Sequence, residues 1–222
     1  RQFAVTLAAA IVFSTFNALT FSPEDLEAVA AQGYVEMLKA GFTAVGEFQY
    51  LHHQPDGRPY ANPAEMTLRC LAASHDVGIA ITLLPVLYAD GGFGSAPPAD
   101  RQRRFITRAD TFLRLHEAVR AGADGLADVT VGVAPHSLRA VSADLLRNVL
   151  AAVPEGPVHI HVAEQLLEVE DCIAFCGRRP IELLLDTVEV SSRWCAIHAT
   201  HMADDETQRL AGSGAVAGLC PI

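Results

Sequence analysis

Lysine is almost missing from this chain of 222 residues. Lys39 is the only one among 16 cationic side chains, against 26 acidic ones and a net charge of −10. That balance argues against nucleic acid or an anionic membrane surface as a partner, because both are recognised by a basic face. An apolar run long enough to span a bilayer is also lacking. Residues 3–13 resemble the core of a secretory signal, but they lack a clear cleavage site and fall short of the roughly 20 residues a spanning helix needs. No glycine-rich dinucleotide fingerprint is present. No second Cys/His pair stands at zinc-finger spacing from Cys172 and Cys176, which are expected to be structural. The five cysteines are odd in number and irregular in spacing. This suits buried free thiols in a reducing compartment, hence a cytoplasmic location, better than a disulfide framework.

Half of the residues are hydrophobic, enough for a sizeable core. Residues 1–21 are left unassigned, and residues 22–222 read as one domain. Strands are predicted to begin near residues 43, 78, 128, 157, 194 and 215. A helix follows each except the last. Ser22, Pro23, Glu24 and Asp25 form a strong helix start, with cap, first-turn proline and acidic side chains at the positive end of the dipole. Residues 100–120 read as one long helix with Phe105 inward, and Arg101, Arg103 and Arg104 as a solvated face. Ser142 caps a further helix. Regular β-then-α alternation with near-continuous apolar strands indicates a parallel sheet. It favours a (β/α)₈ barrel over a doubly wound sheet. Six strands are two fewer than the barrel needs, so both ends read as cuts through a larger protein.

Residues 157–165, PVHIHVAEQ, are the most informative stretch. Side chains alternate along a strand, so Val158, Ile160 and Val162 share the face toward covering helices while His159 and His161 point into the barrel. Glu164 lies three residues on, where strand gives way to loop. An imidazole that binds a metal and a nearby carboxylate can together hold a hydrolytic water and move its proton. Residues 194–201, WCAIHATH, repeat the pattern of an apolar strand ending in His198. Tyr50, His136 and Arg139 also follow strands. The C-terminal ends of barrel strands are where catalytic groups gather. Singly, each has an ordinary structural reading: a rim aromatic, a strand cap, a surface ion-pair partner. Their common face makes coincidence the weaker account.

The segments 34–43, 47–53, 82–88, 135–140, 158–165 and 194–201 resemble the formimidoylglutamate deiminases, a branch of the amidohydrolase superfamily. The resemblance runs from Ser22 to about Pro221. It implies a partial metal-dependent hydrolase barrel, one divalent metal ion, usually zinc, and hydrolysis of N-formimidoyl-L-glutamate to N-formyl-L-glutamate and ammonia in histidine degradation. By resemblance, His161 is a metal ligand, Glu164 the proton carrier and His198 a stabiliser of the attacking oxygen. Tyr50, His136 and Arg139 line the substrate pocket, with Arg139 on a carboxylate. The expected partner is a small molecule, and a homodimer is an open expectation. The family's His-x-His ligand pair has no counterpart upstream of Ser22, and its last Asp ligand is expected after Ile222. Alternatives are a deaminase of a guanine-like or triazine-like ring, which needs no cationic clamp such as Arg139, and a barrel that has lost its metal and its catalysis.

Overall fold

The computed structural model describes residues 20–220. The apolar segment 3–13 and nearly all of the unassigned segment lie outside them. The elements are helix α1 (Pro23–Lys39), β1 (Ala44–Gln49), α2 (Glu65–Val77), β2 (Ala80–Leu87), α3 (Ala109–Ala123), β3 (Val129–Val131), β4 (Ala134–Pro135), α4 (Ala143–Ala152), β5 (Val158–Val162), α5 (Leu166–Cys176), α6 (Pro180–Thr187), β6 (Trp194–His198), α7 (Asp204–Ser213) and β7 (Val216–Gly218). Every strand pairing is parallel, β1 with β2, β2 with β3 and β4, β5 with β6, and β6 with β7. The step to β5 is made by Val133, whose N–H donates to Pro157 O and whose carbonyl accepts from His159 N–H. The strands therefore follow one another in chain order around an arc, a partial (β/α)₈ barrel.

The expected alternation in β5 is realised. Val158, Ile160 and Val162 are buried against the helices while His159 and His161 are only half-buried on the other face. Phe48, on β1 across the barrel, lies with its ring centroid 5.7 Å from that of His159 and 4.9 Å from that of His161. Ser22 caps α1 reciprocally with Asp25, as its sequence predicts. Among the described residues no helix is long and apolar enough to cross a membrane.

Three expectations need correction. The expected long helix is a short 3₁₀ turn at Asp100–Gln102, a connecting segment, and then α3. The connecting segment is bound to the barrel rim: Arg104 O accepts from His52 and His53 N–H, and Thr107 N–H donates to Tyr88 O. Tertiary hydrogen bonds here outweigh helix propensity. Arg104 is fully buried, not solvated, and its guanidinium donates to the carbonyls of His53 and Phe21. The cysteines are free, but Cys176 and Cys220 are exposed, and Cys220 falls beyond β7.

The strand expected over residues 128–134 is split at Gly132. A Cβ there would overlap the carbonyl oxygen of Pro157 and stand 2.7 Å from Pro157 Cγ and 3.0 Å from Leu84 Cδ2. Glycine thus lets β5 approach its neighbour. Replacing Gly132 with Ala should cost about 1–3 kcal/mol by overpacking. Denaturant unfolding of the variant checks this, and an unchanged midpoint would remove the close approach from the account.

Candidate active site

The side chains expected to act together do converge on the rim at the C-terminal strand ends. Tyr50 Oη lies 2.9 Å from His136 Nδ1, and the two atoms share one hydrogen. Burial raises the Tyr50 pKa, with Tyr88 and Glu164 adding to the rise, so the phenol stays protonated at neutral pH. The ring of His136 is 5.3 Å from that of His161, which is 5.6 Å from that of His198. His198 Nε2 stands 3.6 Å from Glu164 Oε1, beyond hydrogen-bond length but within reach of an ion pair when the imidazole is protonated. Arg139 is half-buried beside a cavity of about 140 Å³ whose walls include Asp90, Leu138, Ser142 and Phe175. Its Nε is buried and has no hydrogen-bond partner.

Two backbone turns aim the acid and the distal imidazole. Ala163 has φ 53°, and His198 and Ala199 have φ 70° and 48°, all in the left-handed region that side chains other than glycine's rarely adopt. The turns are bonded to each other. Ala199 N–H donates to Val162 O, and Thr200 and His201 N–H both donate to Ala163 O. The loop after β6 is fastened in turn by Arg179, which donates to His201 O and to the buried carboxylate of Glu206.

His161 is suited to one metal bond. Its Nδ1 is 3.2 Å from His136 O, a carbonyl that can only accept, so Nδ1 carries the hydrogen and the lone pair sits on Nε2. A carbonyl holding the far ring nitrogen in this way orients a metal-binding imidazole. Burial lowers the His161 pKa, offset in part by that carbonyl and reinforced by His198, so the ring is neutral and its lone pair available. Among the described residues no group of three or more His, Cys, Asp or Glu side chains converges into a cage. His161 therefore fits as a single ligand and does not complete a site with its described neighbours.

Sequence reasoning missed several members of the cluster. Tyr88 stacks on His136 with centroids 4.7 Å apart, and its hydroxyl accepts from Gln102 Nε2 at 2.6 Å. Its place just past β2 was a usable signal, by the same rule that marked Tyr50. Phe105 packs against Tyr50 and Tyr88, and Phe48 against His161. Their roles depend on contacts between distant segments, which no local pattern announces.

Burial holds His136 and His52 neutral. The His136 pKa is pushed down to about 3 by burial, with His161 and Arg139 adding to it. His52, fully buried with Nε2 2.7 Å from Val86 O, is held at about 4, again chiefly by burial. A histidine whose folded pKa is depressed contributes stability that is present above its unfolded value and lost as pH falls toward the folded one. Lowering the pH from 7 to 4.5 should therefore cost the protein on the order of 2 kcal/mol through His52 alone. Denaturant melts at both pH values check this. A His52→Gln variant should show the smaller drop, and an equal drop in variant and parent would contradict the assignment.

A sequence profile of the Amidohydrolase family matches residues 4–221, so the match begins inside the segment left unassigned above. The chain is 52% identical over 200 residues to the formimidoylglutamate deiminase of Pseudomonas aeruginosa, covering 90% of this chain and 44% of that protein. It is similar to the crystal structure of an amidohydrolase from Brucella melitensis, with a TM-score of 0.92 and 56% identity over 96% of this chain and 47% of that one. An adenosine deaminase from Xanthomonas campestris with bound zinc shares the fold alone, at 22% identity and a TM-score of 0.66, over 92% of this chain and 41% of that one. The chain thus spans less than half the length of these relatives. With a family profile matched along nearly its whole length and a relative at 52% identity, the chain belongs to the amidohydrolase family.

Proposed function

We propose that the protein carrying this chain hydrolyses N-formimidoyl-L-glutamate to N-formyl-L-glutamate and ammonia, a step of histidine degradation, with one zinc ion in the cytoplasm. The observation that carries the reading is Arg139: a guanidinium Nε, buried and unpartnered, beside a cavity of about 140 Å³ at the barrel rim. A buried donor without an acceptor is costly, and a substrate carboxylate relieves that cost. The relative named formimidoylglutamate deiminase supports the same substrate. A purine-like or triazine-like ring offers no carboxylate for Arg139.

His161 would give its Nε2 lone pair to the metal, with the remaining ligands drawn from outside the described residues. When bound, the ion supplies Lewis acidity that makes water a nucleophile at neutral pH. Glu164 takes a proton from the attacking water and returns it to the departing nitrogen. Water adds to the amidine carbon, the C–N bond breaks, and ammonia leaves with the transferred proton. His198 faces the attacking oxygen and stabilises its developing charge. Arg139 binds a glutamyl carboxylate through its planar fork. The hydrogen bond from Tyr50 and the stacked ring of Tyr88 hold His136 in place beside it.

The Arg139 contact forms on binding and persists to the transition state, so its loss should weaken binding and positioning. In the full-length protein, Arg139→Met should lower kcat/KM by about 2–5 kcal/mol. Glu164→Gln should instead lower kcat with little change in affinity, because it removes the proton carrier. Steady-state kinetics with melting curves as controls read both effects. An unchanged kcat/KM in a well-folded Met variant would take Arg139 out of the site and the substrate assignment with it.

A further inference from the structure

Each helix that opens with a carboxylate three residues past its cap gives a local comparison. In α1 the Asp25 carboxylate accepts from Ser22 N–H at the cap, in α6 Glu182 accepts from Arg179 N–H at the cap, and in α7 Glu206 accepts from Ala203 N–H at the cap. Glu168 holds the same position in α5, whose cap is Gln165. Its carboxylate passes over that cap. Oε1 accepts from Ala163 N–H at 3.2 Å and Oε2 from Glu164 N–H at 2.9 Å. The residue is only 4% exposed, so these hydrogen bonds are shielded from water.

Both bonds fall on the left-handed turn at Ala163, φ 53°. The carbonyl side of that residue is already held by Thr200 and His201 N–H. Glu168 holds the amide side, and with it the amide of Glu164 itself. The turn brings Glu164 Oε1 to 3.6 Å from His198 Nε2. A non-glycine residue keeps such a conformation only where its surroundings over-determine it. Four hydrogen bonds to two consecutive residues do so here.

We propose that Glu168 is a positioning residue whose buried carboxylate clamps the Ala163 and Glu164 amides and so aims the Glu164 carboxylate toward His198. The proposal rests on the reading of Glu164 as proton carrier. Glu168 does not touch the reacting atoms; it sets where the acid stands. Without the clamp the two amides lose their acceptors, the turn relaxes, and Glu164 no longer faces the same point.

The test uses the full-length, zinc-loaded protein with N-formimidoyl-L-glutamate. Glu168→Ala should lower kcat about 10- to 100-fold, the scale of a small misplacement of a reacting group, while KM stays within about 3-fold. Glu168→Gln keeps the shape and one acceptor oxygen, so it should fall between parent and Ala variant; it decides the matter alone if the Ala variant does not fold. Combining either change with Glu164→Gln should cost no more than Glu164→Gln by itself, because both act through one carboxylate. A crystal structure of the variant should show Ala163 out of the left-handed region and Glu164 farther from His198. Unchanged kcat in a folded variant, additive losses in the double variant, or an unmoved Glu164 would each overturn the proposal. The crystallographic distance needs no turnover, so a wrong substrate assignment, seen as an inactive parent protein, remains distinguishable from a wrong role for Glu168.

Discussion

The parallel register of β5 on β6 is the constraint from which the candidate site follows. His161 is paired with Ile197, and Val162 with His198. Because the strands are parallel, both reach the same barrel rim, and the groups just past their ends emerge side by side. The hydrogen bonds from Ala199, Thr200 and His201 back to Val162 and Ala163 carry the pairing past the last strand residue. A slip of one residue would turn His161 toward the helices and Val162 into the barrel, since strand faces alternate. The fully buried Val158, Ile160 and Val162 make that slip costly. Ordinary apolar packing on the outer face thus fixes the chemistry on the inner one.

Electrostatics follow from the same placement. Four histidines on or just below the rim, His52, His136, His159 and His161, have pKa values lowered first of all by burial. Neutral rings at neutral pH leave lone pairs free and avoid a crowd of like charges around Arg139. Arg139 contributes a guanidinium to the rim, and Glu164 a carboxylate 3.6 Å from His198.

Much of this was legible in the chain itself. Alternation in residues 157–162 told which way His159 and His161 would point, because a period of two admits only one assignment once the branched aliphatics are buried. The strand-then-helix rhythm pointed to the barrel, and the rule that function gathers at C-terminal strand ends picked out Tyr50, His136, Arg139, Glu164 and His198. What escaped was whatever depends on partners far along the chain. Residues 100–108 have helical propensity, yet Arg104 O and Thr107 N–H are bonded to the rim. Arg104 looks like a surface cation, and it is buried because backbone carbonyls receive its guanidinium. Glu168 is locally indistinguishable from an ordinary helix-capping carboxylate, and only the folded turn shows which amides it reaches.

A linear amidine bearing carboxylates is the substrate proposed for this rim. The most direct measurement is ammonia release by the full-length, zinc-loaded protein, with N-formimidoyl-L-glutamate and an adenosine-like ring amine offered side by side. The expected result is turnover of the linear amidine, with N-formyl-L-glutamate as the second product, and none of the ring. Deamination of the ring with the amidine left intact would contradict it.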